Sequence, residues 1–515
     1  MKTVYTNFRI VDAEHDVEGT LVVEDGLIKT IIPAEQTAAE SRALLFELAG
    51  ASHFIDGTKL KDPASHELPV LLPSFIDLHA HFRDPGHPHK ETLESATLAA
   101  VKGGYTTLVC MANTDPVTDT LTAAAALKAR SDVLGLTDLY PAMSLTKGME
   151  GRELSEIAEL ASLRHHAGGT QCRARNIEGV STISAARCGP HECFPLNKCN
   201  RVRLPPASSP CSGPTLTPQV RSPHGLPAPS SAGVRPRNAP DHGAELFPCV
   251  LILSEDGKDI ADDALFGKAL RAAAQAGIPV SCHCDLDGEN AATARVLKLA
   301  GETGARVHIA HVSTKEAAAM IAAAKREHPG QITAEATPHH FFLTQSRADE
   351  LGRDTFGKVA PPLRSDADRK AVLEVLLEGS IDAIATDHAP HTQADKESGA
   401  PGFSGLETAF AVACTAIVQS GKGDLCHLSR LLSATPACIL GLDDRGTLEC
   451  GKRADLVIVN PEMRWMADKA ALRSRGKNTP FDGMELSGLV LATILGGKIV
   501  YETTIKTLIE TTIKA

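Results

Sequence analysis

The sequence predicts an α/β protein built on a TIM-like (β/α)8 barrel, with a small β-sandwich domain formed by the N- and C-terminal segments together. Two observations support this. Apolar strand-like runs alternate with Ala- and Glu-rich helical runs over about three hundred residues, and strand-like runs return at both chain ends. Alternation over this length is typical of a closed parallel sheet. A chain of 515 residues has room for one such barrel and a further domain.

The expected domain boundaries lie where the pattern changes. Residues 1–70 and 445–502 show strand and turn patterns, so we expect them to pair into one composite β-sandwich. Residues 71–444 carry the alternation and form the predicted barrel. Its strand-like and helical runs pair as 71–78 with 91–102, 106–111 with 121–130, 278–282 with 291–299, 306–311 with 315–325, and 383–386 with 405–420.

Residues 171–248 interrupt the barrel pattern. They hold 13 of the 31 prolines and five cysteines, and show no helical or strand periodicity. This composition is typical of disorder, and the position between a helical run and a strand predicts a loop on the N-terminal face of the barrel. Two alternatives stay open: a zinc knuckle, although the segment has no Cys-x-x-Cys pair, and a sequencing or gene-model error.

Charge and hydropathy exclude several classes of protein. The chain has 52 Lys and Arg against 63 Asp and Glu, which argues against a general nucleic-acid binder. No run reaches 18 apolar residues, so no membrane span is predicted. The first residues lack the apolar core of a signal peptide and the cysteine count of 13 is odd, so we predict a cytoplasmic protein without a disulfide framework.

A histidine pair at the end of a strand-like run, His79 and His81, is the first indication of a metal site. Residues two apart on a strand point the same way, so both imidazoles can reach one ion. The carboxyl ends of barrel strands meet at one rim, and four later strand-like runs end in His or Asp. Imidazole with carboxylate suits Zn²⁺ and is open to Mn²⁺ or Co²⁺. The residues at those four ends are Asp256, His283, His311 and Asp387.

Six short motifs carry a resemblance to a known family. They are HAHFRDPG at 79–86, MANT at 111–114, HVST at 311–314, TPHH at 337–340, APPLR at 360–364 and TDHAPH at 386–391. On these motifs the chain resembles the amidohydrolase superfamily and, within it, the dihydroorotases of the long bacterial type. The resemblance covers 1–165 and 249–505.

The resemblance implies a zinc-dependent hydrolase that interconverts N-carbamoyl-L-aspartate and L-dihydroorotate in de novo pyrimidine (UMP) biosynthesis, with one or two Zn²⁺ ions. A metal ion lowers the pKa of water to about 7, and Asp387 would act as general acid and base. In other members of the superfamily a carboxylated lysine bridges the two ions. Lys258 lies past Gly257, so we expect it to be an ordinary loop lysine and not such a bridge. The implied ligands are His79, His81 and Asp387 for one ion, His283 and His311 for a second, and Asp256 as the bridge.

The resemblance also implies a set of substrate contacts. Arg83 lies two residues after His81 and suits a bidentate pair with a substrate carboxylate. Ala360 stands where the family has Asn before Pro-Pro-Leu-Arg, which predicts the loss of one substrate hydrogen bond, roughly 1 kcal/mol. The implied substrate-binding residues are His81, Arg83, Asn113, His391, Pro401 and Gly402.

Two functional alternatives stay open. One is another cyclic-amide hydrolase, an allantoinase or a hydantoinase (dihydropyrimidinase), although Arg83 favours a substrate with a free carboxylate. The other is a catalytically silent dihydroorotase-like scaffold for aspartate transcarbamoylase. The expected partner is the small-molecule substrate, with no nucleic acid and no membrane. Homodimer formation and association with aspartate transcarbamoylase are further partner hypotheses.

Overall fold

The computed structural model describes residues 1–34, 50–60, 67–166 and 249–503, so the segment 171–248 lies outside the described residues. The strands in chain order are β1 (Lys2–Val11), β2 (Asp16–Glu24), β3 (Leu27–Pro33), β4 (His53–Asp56), β5 (Val70–Pro73), β6 (Phe75–Ala80), β7 (Tyr105–Cys110), β8 (Asp138–Pro141), β9 (Leu253–Ser254), β10 (Val280–Cys282), β11 (Val307–Ile309), β12 (Ile332–Ala336), β13 (Ala383–Ile384), β14 (Leu456–Met466), β15 (Glu485–Leu495) and β16 (Lys498–Glu502).

The α-helices lie mainly between the strands β6 to β14. They are α1 (Leu93–Lys102), α2 (Leu121–Leu134), α3 (Ile157–His166), α4 (Asp263–Ala276), α5 (Glu289–Thr303), α6 (Lys315–Glu327), α7 (Pro338–Phe342), α8 (Gln345–Leu351), α9 (Asp366–Glu378), α10 (Gln393–Glu397), α11 (Ala409–Ala413), α12 (Leu425–Ser429) and α13 (Thr435–Leu440). Short 3₁₀ turns occur at Gly57–Leu60, Lys147–Met149 and Lys469–Ala471, and π-helical turns at Gly352–Phe356, Cys414–Gln419 and Arg430–Ala434.

Capping side chains begin several helices, and glycines end several of them. The side chains of Thr120, Thr314 and Ser365 accept hydrogen bonds from backbone N–H groups in the first turns of α2, α6 and α9. Such caps satisfy N–H groups that have no partner inside the helix. Gly277 and Gly379 end α4 and α9 in the left-handed region, where glycine carries no steric penalty. Among the described residues, no helix combines the length and the apolar character that a membrane span requires.

Both chain ends build one eight-stranded sheet. Its order is β16-β15-β14-β5-β1-β2-β3, with β4 paired to β1. Strand β5 joins the two ends, because it pairs in parallel with β1 and antiparallel with β14, where Leu72 lies opposite Val457. A core of buried apolar side chains that includes Phe8, Leu21 and Ile458 packs on this sheet. The predicted β-sandwich of the two chain ends is confirmed.

Eight parallel strands form the barrel. Strands β6, β7 and β8 pair in that order, and β9 to β13 pair as a second parallel group. Two contacts join the groups: Ser254 N donates to Met143 O at 3.0 Å, and His81 N donates to His388 O at 2.8 Å. The closed ring of parallel strands confirms the predicted barrel.

One expected strand is two strands in the structure. The apolar run 71–78 divides at Ser74, where β5 ends in the sheet and β6 begins in the barrel. All residues from 71 to 80 are buried, so no alternation in polarity marks the division.

Candidate metal centre

Every predicted metal ligand lies at the carboxyl end of a barrel strand. His79 is inside β6 and His81 directly follows it, while His283 directly follows β10. The others lie a few residues beyond their strands: Asp256 after β9, His311 after β11 and Asp387 after β13. His283 is half-buried and the other five are buried. Strand ends from around the ring therefore bring these six side chains to one rim.

The first group of ligand atoms belongs to His79, His81 and Asp387. One atom from each lies within 4.8 Å of the other two. Asp387 Oδ1 is 3.2 Å from His81 Nε2 and 3.6 Å from His79 Nε2. This spacing allows the three atoms to share one cation.

The second group surrounds Asp256. Its Oδ1 lies 3.3 Å from His79 Nε2, 3.2 Å from His283 Nδ1 and 3.8 Å from His311 Nε2. Its Oδ2 lies 3.4 Å from His81 Nε2, in the first group. Asp256 therefore lies between the two groups, in the place that a bridging carboxylate would occupy. Which ligands hold which ion stays a prediction.

The donor set fits a divalent cation. His79 Nε2 and Asp256 Oδ1 are buried and make no hydrogen bond to any of the described residues. Buried polar atoms without a partner are costly, and a cation between these two would satisfy both. Four imidazoles and two carboxylates match the ligand preferences of Zn²⁺.

The two acidic ligands are ionised at neutral pH. Burial by itself raises the pKa of Asp256, but the neighbouring His79 and His283 lower it well below its usual range. Burial also raises the pKa of Asp387, and the hydrogen bond to His81 and the charge of His79 outweigh that effect and lower it. Both carboxylates are thus available as anionic ligands, and Asp387 is available as a base.

Glu335 supports the site from β12 and was not identified from the sequence. Its Oε1 accepts from His79 Nδ1 at 2.8 Å and its Oε2 accepts from His308 Nε2 at 3.0 Å. The first hydrogen bond keeps a proton of His79 on Nδ1, so that Nε2, which is directed at the other ligands, would be the atom that binds a cation. The only signal in the sequence is a charged residue inside the otherwise weakly polar strand Ile332–Ala336.

Asn113 contacts two candidate ligands. His81 Nδ1 donates to Asn113 Oδ1 at 2.9 Å, and Asn113 Nδ2 lies 3.5 Å from Asp256 Oδ2. The side chain therefore orients His81 with its Nε2 towards Asp387. Its expected contact with the substrate stays a prediction.

The expected substrate-binding residues Arg83, His391, Pro401 and Gly402 lie together beside the metal ligands. Arg83 Nη2 is 3.3 Å from His391 Nε2, which donates to Pro401 O at 2.9 Å. Burial and the charge of Arg83 lower the pKa of His391 to about 3, so the ring is neutral. Gly402 N donates to Lys358 O at 3.0 Å, so this N–H is already engaged within the protein. Direct contact of the four residues with substrate stays a prediction.

Three residues of the site adopt a backbone conformation that side chains normally avoid. Arg83, His311 and Asp387 have φ of 57°, 34° and 45°. Each such residue costs of order 1–3 kcal/mol and persists where the surrounding structure imposes it, often at functional sites. The positive φ values change the direction of the backbone beyond the strand ends, and with it the direction of these three side chains.

The remaining motif residues lie outside the cluster of ligand atoms. Lys258 is exposed in a turn, where its N–H donates to Glu255 O at 3.0 Å. His340 is held by Thr337 Oγ1 at 2.7 Å and donates to Pro361 O at 2.9 Å. Ala360 is half-buried beside Pro361, and its methyl group offers no hydrogen bond.

The closed parallel barrel, the flanking β-sandwich and the histidine–aspartate rim define a protein of the amidohydrolase class. A model described as the amidohydrolase family matches residues 254–500, and one described as dihydro-orotase-like matches residues 69–171. The dihydroorotase of Caldanaerobacter subterraneus subsp. tengcongensis is 36% identical over 438 residues, which cover 84% of this chain and 86% of that relative. The dihydroorotase of Clostridium botulinum is 30% identical over 511 residues, which cover 98% of this chain and 100% of that relative. The chain belongs to the dihydroorotase family of cyclic amidohydrolases.

Solved structures share the fold. The L-hydantoinase (dihydropyrimidinase) from Arthrobacter aurescens has a TM-score of 0.70 and 22% identity, over 97% of this chain and 96% of that one. The D-hydantoinase (dihydropyrimidinase) from Thermus sp. has a TM-score of 0.67 and 20% identity, over 97% of this chain and 96% of that one. At these identities the similarity concerns the fold alone.

Proposed function

We propose that the protein catalyses the reversible cyclisation of N-carbamoyl-L-aspartate to L-dihydroorotate, as a step of pyrimidine biosynthesis. The observation that carries the proposal is the meeting of His79, His81, Asp256, His283, His311 and Asp387 at one rim, beside Arg83. The family supports the same reaction, since relatives named dihydroorotase match most of the chain.

The rim residues would hold one or two divalent cations, for which we propose Zn²⁺. When bound, such a cation supplies Lewis acidity, which lowers the pKa of water and polarises an amide carbonyl. The protein's part is to keep six donors in place within a buried site, where electrostatic interactions are stronger than in water.

Asp387 is the proposed general acid and base. Its lowered pKa keeps the carboxylate ionised, so it can accept a proton. In ring opening, a carboxylate oxygen of Asp387 takes a proton from the water that attacks the amide carbon, and then delivers a proton to the leaving ring nitrogen. In cyclisation the carboxylate takes the proton from the attacking carbamoyl nitrogen and gives one to the departing oxygen.

Arg83 is proposed to bind the substrate carboxylate that lies outside the ring. Its guanidinium is half-buried beside His391, and no carboxylate of the described residues forms an ion pair with it. A guanidinium without a paired anion suits a bidentate pair with a carboxylate ligand. The neutral ring of His391 adds no second positive charge beside the guanidinium.

Steady-state assays of the purified protein test the proposal. We expect turnover of N-carbamoyl-L-aspartate and L-dihydroorotate, with transition metal found by elemental analysis. Asp387→Asn should abolish turnover and leave the circular dichroism spectrum unchanged. Asp132→Asn, at an exposed residue of α2, is the matched control and should retain activity. Full activity of Asp387→Asn would refute the assigned role.

The same preparation discriminates the alternatives. An allantoinase or a hydantoinase would turn over allantoin, hydantoin or dihydrouracil in preference to dihydroorotate, and Arg83→Ala would leave those neutral substrates unaffected. A silent scaffold would show no turnover and no bound transition metal. Size-exclusion chromatography, alone and with aspartate transcarbamoylase, tests homodimer formation and association. Cytoplasmic localisation stays a prediction from the sequence.

A further inference from the structure

Lys396, on α10, has an unusual environment for a charged residue. Its side chain is fully buried, at 0% exposure. Its Nζ donates to three backbone carbonyls: Lys358 O at 2.8 Å, Ala400 O at 2.8 Å and Gly402 O at 3.0 Å. The ammonium also lies 5.3 Å from the centre of the Phe403 ring. Every donor of the ammonium is therefore used on backbone or lies near an aromatic face.

This arrangement is costly for the fold. Within the described ranges, no carboxylate lies at ion-pair distance from Lys396. Burial and the charge of Lys358 lower its pKa to about 8. A buried ammonium without a counter-charge is rare, since lysine is seldom fully buried unless it is paired. Within the part of the chain that the structure describes, the three carbonyls are the only hydrogen-bond acceptors of this cation.

Two of those carbonyls belong to the segment that carries two expected substrate contacts. Ala400 and Gly402 flank Pro401, whose carbonyl accepts from His391 Nε2 at 2.9 Å. Lys358 O also accepts from Gly402 N at 3.0 Å, so one carbonyl is shared by the lysine and the segment. Lys396 thus holds the backbone on both sides of Pro401.

The same segment pairs with the chain that leaves β13. Ala389 N donates to Phe403 O at 2.7 Å, two residues after Asp387. Gly402 has φ of 133°, and a Cβ there would lie 2.7 Å from Ala389 Cβ. The close approach means that a small shift of Gly402 moves the Ala389–His391 stretch.

We propose that Lys396 is a positioning residue that fixes residues 400–402, so that Pro401 holds His391 in place beside Arg83 for a carboxylate-bearing substrate. The inference rests on the proposed function for the identity of the substrate. It assigns Lys396 no contact with substrate or metal. It therefore predicts an effect on substrate binding and not on the chemical step.

Lys396→Met tests the proposal, because methionine is similar in length and has no N–H donor. We expect KM for dihydroorotate to rise ~10-fold or more and kcat to change less than ~3-fold, the pattern of lost binding geometry. Metal content should equal that of the wild type. Lys422→Met, at an exposed lysine, is the control and should leave KM and kcat unchanged. An unchanged KM for folded Lys396→Met, or a fall in kcat with loss of metal, would overturn the proposal.

Lys396→Gln covers the case in which the methionine variant does not fold. Glutamine keeps two N–H donors for the buried carbonyls but is shorter and uncharged, so KM should again rise while kcat is kept. Hydrogen–deuterium exchange of peptides spanning 386–405 provides a readout without substrate. Faster exchange in the variant supports positioning even if dihydroorotate is not the substrate, and unchanged exchange with unchanged KM refutes it.

Discussion

Glu335 uses one carboxylate to hold two histidines in the barrel. Burial by itself would raise the pKa of Glu335, but its hydrogen bonds to His308 and His79 lower the pKa to about 2. The carboxylate is therefore ionised at neutral pH. Its hydrogen bond to His79 matters most for metal binding, because His79 contributes to both groups of ligand atoms.

Replacing Glu335 should weaken metal binding although the residue is not a ligand. Glu335→Leu removes the acceptor of His79, and we expect metal affinity to fall ~10- to 100-fold, the usual effect of losing such a partner. Glu335→Gln keeps one acceptor oxygen, so the loss should be smaller. Competition with a chromophoric chelator measures both affinities. Wild-type affinity in Glu335→Leu would show that His79 needs no support from Glu335.

Lys396 gives a dependence of stability on pH. Its pKa is lowered from 10.5 to about 8 in the folded protein. Between these values the unfolded chain binds more protons than the folded one, so stability rises with pH. The free energy of unfolding of the wild type minus that of Lys396→Gln should therefore increase from about pH 8 to pH 10. Urea unfolding of both proteins measures it, and a difference that is constant or decreases would contradict the lowered pKa.

Single residues differ in how well the sequence reveals their role. The six candidate ligands could be identified because each follows an apolar run, and strand ends of a barrel converge. Glu335 and Lys396 could not, because their roles depend on partners far along the chain: Glu335 on β12 meets His79 on β6, and Lys396 meets the carbonyl of Lys358. Spacing in the sequence carries no information on such pairings.

Among the elements, β6 and β13 close the barrel next to the site. Asp77 on β6 accepts from Thr386 N at 2.9 Å and from Thr386 Oγ1 at 2.6 Å. Thr386 directly precedes Asp387, so this link sets where the proposed general base leaves its strand. Asp77 is 0% exposed, and this burial raises its pKa to about 7.

Removing the hydrogen bonds between Asp77 and Thr386 should disturb the metal site, because Thr386 directly precedes the candidate ligand Asp387. Asp77→Ala removes both acceptors of Thr386, and we expect metal affinity to fall ~10-fold or more, with a larger loss of kcat than of KM. Asp77→Asn keeps the volume and one acceptor oxygen, so it should lie between Asp77→Ala and the wild type. Chelator competition and steady-state kinetics measure these effects. If Asp77→Ala bound metal as the wild type does, Asp387 would be placed by other contacts.

The elements themselves were largely predictable from the sequence. The helix Lys315–Glu327, for example, was predicted over 315–325 and carries the cap Thr314 and the apolar periodicity that identify a helix. The division at Ser74 could not be predicted, because the run from 71 to 80 is buried throughout although its first part lies in the sandwich sheet and its second part in the barrel. The pairing of β5 with β14, nearly four hundred residues away, decides that division.

At the scale of the whole molecule, Arg445 connects the barrel to the β-sandwich. Arg445 is buried, at 5% exposure. Its Nη1 donates to Asp138 Oδ2 at 2.6 Å and to Thr107 Oγ1 at 3.0 Å, on the barrel strands β8 and β7. Its Nη1 also lies 3.7 Å from Oδ2 of Asp455, the residue directly before β14 of the sandwich sheet. One guanidinium therefore neutralises carboxylates from both parts of the protein.

Removing this guanidinium should destabilise both parts together. Arg445→Met leaves Asp455 and Asp138 with less charge compensation in a buried setting, and breaking such a buried pair typically costs about 3–5 kcal/mol. Arg453, 2.5 Å from the same Asp138 oxygen, remains, so we expect a value near the lower end of that range. The exposed pair Arg464–Glu485 supplies the control, since Arg464→Met should cost less than about 1 kcal/mol. Urea unfolding, followed by circular dichroism and by loss of bound metal, measures both variants. The two signals should shift together in Arg445→Met, because Arg445 joins the barrel, which carries the cation site, to the sandwich sheet. Equal stability of the two variants would show that packing alone joins the domains.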